Sequence, residues 1–113
     1  MAEINRLGDY EPREAGEGFE VVQLGRNDFM SIQWFRYFPG GWAPDHDHPH
    51  QQIGFIYAGE LTFSVEGEEV IVGPEDTYIL ESHEVHSARN EGDVAVKGID
   101  VFCPPRGAAD WMN

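Results

Sequence analysis

At 113 residues the chain has room for one hydrophobic core, and its 41% hydrophobic content is enough to build one. Its 21 acidic residues against 7 lysines and arginines leave a formal charge of −14, which repels nucleic acid and anionic membrane surfaces and argues against both as partners. A small anionic ligand would need a local cationic feature to hold it, such as a bound metal or a placed arginine.

Residues 1–18 are dominated by Glu, Arg, Gly and Pro without periodicity and read as a loosely ordered N-terminal arm, with scope to pair in part onto a sheet edge. The opening MAEINRLGDY has neither the basic start nor the apolar core of a signal peptide, and nothing reaches membrane-spanning length, so a cytoplasmic location is expected. From residue 19 to 113 the chain reads as one domain. Short apolar or alternating runs separated by Gly and Pro predict strands at residues 19–24, 30–38, 42–48, 52–58, 60–65, 69–72, 77–80, 85–90 and 94–102. Ala58-Gly59 and Glu66-Gly67 read as turns between antiparallel neighbours. No stretch has helical periodicity, so the expected fold class is all-β, a compact barrel or double-sheet jelly roll. Pro104-Pro105 cannot continue a central strand, and the tail should leave the sheet there. The single Cys103 excludes an intrachain disulfide and reads as a small buried or partly buried thiol.

Chemistry concentrates in Gly40-x5-His46-x-His48-x3-Gln52-x6-Gly59 and, downstream, His86-x3-Asn90. In an extended segment His46 and His48 project from the same face, with Asp47 on the other. Pro49 keeps His48 extended, and a Pro49-His50-Gln51 connector leads into a strand opening at Gln52. That hairpin would bring the Gln52 carbonyl oxygen beside the two imidazoles. His86 opens a later run and is the candidate fourth ligand. Each His alone would read as an ordinary hydrogen-bonded group, but four suitably spaced groups in one short β chain point to a divalent metal. His50, in the connector, and His83, in a solvent-facing turn, are read as ordinary residues.

In Val94-Ala95-Val96-Lys97-Gly98-Ile99-Asp100-Val101-Phe102, alternation puts Val94, Val96, Gly98, Asp100 and Phe102 on one face, with Lys97 on the other. Facing inward, Asp100 would be an acid in an apolar cavity near the metal, able to move a proton; facing outward, it would be a strand-end or ion-paired residue. Parity alone leaves both open. Arg106, just past the prolines, could either return to the barrel mouth or remain a solvated tail residue. Trp34, Phe35, Tyr37, Phe55 and Tyr57 read as core or dimer interface, and long sheet edges with many aromatics lead us to expect a homodimer.

The first segment resembles the first cupin motif, with Gln52 at its acidic position. The second, Gly73 through Asn90, resembles the second cupin motif but lacks the Pro and Gly expected before its His, with Leu80-Glu81-Ser82-His83 in their place. HDHPHQQIGFIYAGEL and Asp100-Val101-Phe102-Cys103-Pro104-Pro105-Arg106 further resemble small cupins of pectin and alginate breakdown that open 4,5-unsaturated uronate sugars, over about residues 30–107. This resemblance implies a single-domain cupin jelly roll (double-stranded β-helix) and a homodimer. It implies metal ligation by His46, His48, Gln52 and His86, catalytic roles for Asp100 and Arg106, and substrate contacts from Arg106 and from a cavity-lining Phe102. One divalent ion, Zn, Ni, Mn or Fe, would carry its full charge among neutral ligands and favour an anionic sugar. The expected function is metal-assisted acid/base conversion of a cyclic 4,5-unsaturated monouronate to its linear keto form. A non-catalytic cupin binding a small acid or sugar as sensor or accessory module, and a cupin dioxygenase, remain alternatives.

Overall fold

The computed structural model describes residues 2–107, and these form two antiparallel sheets. The strands are β1 (Arg13–Gly16), β2 (Phe19–Arg26), β3 (Ser31–Tyr37), β4 (Trp42–His46), β5 (Gln51–Ala58), β6 (Leu61–Val65), β7 (Glu68–Val72), β8 (Thr77–Leu80), β9 (His86–Arg89) and β10 (Val96–Cys103). A six-stranded sheet runs β1-β2-β3-β10-β5-β8, and a four-stranded sheet runs β4-β9-β6-β7. Strands consecutive in sequence are repeatedly separated in space, the signature of a jelly roll. Among the described residues the helical content is one 3₁₀ turn at Leu7–Asp9, and no helix is long and apolar enough to cross a membrane.

Alternation explains why these segments are strands. In β10, Val96, Gly98, Asp100 and Phe102 are buried and the residues between them are not. In β5, Gln52, Gly54 and Ile56 point inward. The two inner faces meet in a core that includes Phe19, Val21, Phe35, Ile56, Leu61, Phe63 and Val96. Within residues 1–18, Arg13–Gly16 pair with β2 at the edge of the larger sheet and Ala15 is buried.

Three local readings need correction. Glu66-Gly67, both at positive φ, close a true hairpin between β6 and β7. Ala58-Gly59 does not, because β5 and β6 belong to different sheets and the turn carries the chain from one to the other. Likewise β4 ends at His46, and its link to β5 crosses between sheets, so His48 and Gln52 do not face each other across a hairpin. Pro44 is tolerated inside β4 because β4 is an edge strand with irregular register between Ala43 and His46. Cys103 is exposed, since it is the outward-facing last residue of β10.

Candidate metal centre

His46 closes β4 and His86 opens β9, and the two are direct cross-strand partners. His48 lies two residues past the end of β4, and Gln52 comes from β5 in the opposite sheet. The ligand-capable atoms of His46, His48 and His86 all lie within 4.8 Å of one another. Gln52 joins them through Oε1, 3.2 Å from His48 Nε2. His48, His86 and Gln52 are buried. The two sheets thus converge on this cluster, the smaller one bringing His46 and His86 and the larger one Gln52.

Backbone carbonyls set the tautomers. Nδ1 of His46 lies 2.8 Å from the Pro44 carbonyl, that of His48 3.0 Å from the His50 carbonyl, and that of His86 2.7 Å from the Glu84 carbonyl. A carbonyl only accepts, so each Nδ1 carries the proton and each neutral ring keeps a lone pair on Nε2. Burial, the largest influence on each, lowers the pKa of His46 to about 3 and of His48 to about 4, and lowers that of His86. At neutral pH the rings are uncharged. His48 Nε2 and Gln52 Oε1 therefore face each other as two acceptors with no proton to share, an arrangement that a cation relieves. The donor set fits a divalent metal with N and O ligands.

The second motif's missing Pro and Gly are compensated by hydrogen bonds. Ser82 Oγ donates to the Pro49 carbonyl at 2.7 Å, and the His83 amide donates to the His48 carbonyl at 2.7 Å, so this turn is stitched to the first motif. His83 itself adopts the positive φ of 61° and is exposed, with Nδ1 3.0 Å from Asp47 Oδ2. Asn90 is structural: its amide donates to the Tyr37 and Val94 carbonyls and its Oδ1 accepts from the Gly92 amide. His50 does more than connect, because its ring packs against His48 and Phe102 at centroid distances of 5.5 and 6.2 Å.

Asp100, Phe102 and Arg106 line the same cavity as His46, Gln52 and His86. The enclosed space is about 30 Å³, the size of one small ion or water. Of the two orientations open for Asp100, the inward one is adopted, with 7% of its surface exposed. Burial raises its pKa to about 6, although Tyr78, Gln52 and Arg106 each act in the opposite direction. Arg106 is only 4% exposed, its guanidinium 5.1 Å from the Phe102 ring centre. Ser31 holds the tail in place, its Oγ accepting from the Arg106 amide at 2.9 Å, and Gln23 Nε2 donates to the Gly107 carbonyl at 3.0 Å. These bonds answer the question that the sequence left open for Arg106.

Tyr78 is the site residue that sequence reasoning missed. Its hydroxyl donates to Asp100 Oδ1 at 2.5 Å. The signal was present as Gly54, a glycine inside an otherwise bulky strand, which often marks close approach by another group.

The cupin-domain profile matches residues 33–102. Over 67 residues the chain is 33% identical to H2HPP isomerase of Bacillus subtilis, covering 59% of this chain and 28% of that protein. Over 91 residues it is 28% identical to gentisate 1,2-dioxygenase of a Ralstonia species, covering 80% of this chain and 25% of that enzyme. The matches thus span about a quarter of these relatives' length. The structure of KdgF from a Halomonas species superposes with a TM-score of 0.86 and full coverage of both chains at 21% identity, which shows a shared fold. With the profile spanning both histidine segments, the chain belongs to the cupin-domain family.

Proposed function

We propose that this protein is a metal-assisted isomerase that opens cyclic 4,5-unsaturated monouronates to their linear keto form. The observation that carries this reading is Asp100, a buried carboxyl with a pKa near neutrality, in one cavity with Arg106 and the ligand cluster. His46, His48, Gln52 and His86 would hold a divalent ion, zinc, nickel, manganese or iron, which when bound supplies positive charge for sugar oxygens. Arg106 grips the uronate carboxylate, a task suited to a planar guanidinium, and Phe102 backs that side chain.

Asp100 moves one proton. Ionised, it takes the proton of the anomeric hydroxyl as the bond between the anomeric carbon and the ring oxygen breaks, which leaves an aldehyde and an enolate; protonated, it returns that proton to C4 as the enolate becomes a ketone. No atom is gained or lost and no oxidant is needed. The test is to mix metal-loaded protein with lyase-generated unsaturated uronate and follow the conjugated ultraviolet absorbance. We expect accelerated loss of absorbance, suppressed by a chelator; a rate no faster than buffer would reject the reading.

The likeness to a dioxygenase supports a second reading, oxygen chemistry at an iron-loaded site. Oxygen uptake with an aromatic dihydroxy acid, and none of the absorbance change above, would favour it. Saturable uronate binding without turnover would instead identify a sensor or accessory module.

We further propose a homodimer through the outer face of the larger sheet. Ile79, Ile53, Val101 and Ile32 form one cross-strand row, and Thr77, Phe55, Ile99 and Trp34 form the next. Ile53 and Ile79 are 53% and 62% exposed. Strands β3, β10, β5 and β8 place no acidic side chain on this face, so it is where two copies of a −14 chain approach with least repulsion. A second copy offers the matching apolar sheet.

A further inference from the structure

Asp100, Gly54 and Tyr78 occupy one row across three adjacent strands. Gly54 on β5 is the cross-strand partner of Asp100 on β10 and of Tyr78 on β8. Two strands separated by a third lie about 10 Å apart, and the side chain between them normally blocks contact. Here there is none. A Cβ at position 54 would overlap the Tyr78 ring and hydroxyl, so the phenol lies across β5 through space that only glycine leaves open. At the end of that reach the hydroxyl donates to Asp100 Oδ1 at 2.5 Å. The ring is wedged against Phe63, centroids 4.6 Å apart, so the phenol is held from the opposite sheet as well.

We propose that Tyr78 is a positioning residue for Asp100 and that Gly54 exists to let it reach. The inference rests on the reading of Asp100 as the proton-transfer group. The terminal torsion of an aspartate is a broad, soft rotor. Asp100 also hydrogen bonds through Gln52, but that side chain is shared with the ligand cluster. Tyr78 comes from outside the cluster and holds Oδ1 of the carboxylate, so it fixes Asp100 without drawing on a ligand-cluster side chain. The bond occupies an acceptor that burial would otherwise leave without water.

The experiment compares Tyr78→Phe, Asp100→Asn and the double variant in the metal-loaded protein. Tyr78→Phe should keep the fold and metal content, lower kcat by about 10- to 100-fold, and change KM by less than about 3-fold. Added to Asp100→Asn, it should lower kcat by less than about 2-fold, because nothing remains to position. Independently of substrate, proton NMR should show a slowly exchanging Tyr78 hydroxyl resonance that disappears in Tyr78→Phe and moves upfield in Asp100→Asn, whose amide oxygen is a weaker acceptor than a carboxylate. Wild-type kcat in Tyr78→Phe alongside an inactive Asp100→Asn would overturn the proposal and leave the proton-transfer reading intact. Undiminished kcat in Asp100→Asn would remove that reading, and the role of Tyr78 with it.

Discussion

The side-chain amide of Gln52 is shared between His48 and Asp100. Its Oε1 lies 3.2 Å from His48 Nε2, while the same side chain hydrogen bonds to the Asp100 carboxyl and lowers its pKa. An amide can do both, since one end accepts and the other donates. A glutamate would bind a metal more strongly but would set a second carboxylate against Asp100.

Gln52→Glu should therefore separate metal binding from turnover. Metal affinity should rise, because a carboxylate is a stronger ligand, while uronate turnover should fall by about 10-fold or more as Asp100 loses a donor and gains a like charge. Competition with a fluorescent chelator and steady-state kinetics on the same preparation check the two halves.

Arg106 should act on binding. Arg106→Lys keeps the charge but removes the planar fork and its stacking over Phe102. The expected outcome is a KM raised by about 10-fold with kcat changed far less. A fall in kcat at constant KM would place Arg106 in the chemical step instead.

Acid should destabilise the metal-free protein. His46 and His48 have folded pKa values of about 3 and 4, below the ordinary 6.5, and His86 is lowered too. The unfolded chain thus takes up protons that the fold refuses, and stability falls as pH drops below about 6.5. Asp100, raised to about 6, has the opposite sign: its contribution is present below 3.8 and is lost as pH rises through about 6. Three histidines outweigh one aspartate, so the urea midpoint of chelator-treated protein should fall between pH 7 and pH 5. In Asp100→Asn, which lacks the opposing contribution, the fall should be steeper.

Ile79→Lys should produce monomers. A lysine in the outer apolar row introduces a charge that the facing sheet cannot solvate. Light scattering after size exclusion should report half the mass of the parent, with uronate turnover retained because Ile79 points away from the cavity. A parent that is already monomeric would end the dimer proposal.

The strands were legible because alternation is local. Val96, Gly98, Asp100 and Phe102 share a face whatever sheet β10 joins, and the grouping of His46, His48, Gln52 and His86 follows the order of two short motifs. The route of the chain was not legible. Ala58-Gly59 has the composition of a hairpin turn, yet it joins two sheets, because which strand pairs with which is decided by long-range closure of the barrel.

By itself, therefore, the sequence determined the all-β class, the grouping of alternate β10 residues on one face and the identity of the histidines, all of which depend on residue type and near-neighbour spacing. Only the tertiary structure decided that Arg106 turns back into the cavity, that Gln52 bridges the ligand cluster and Asp100, and that Tyr78 reaches Asp100 over Gly54. Each of those relationships joins residues from separate strands or from the tail, and strand order places them together. Gly54 by itself marks only that some group comes close; which side chain fills that space, and what it reaches beyond, is set by strand order.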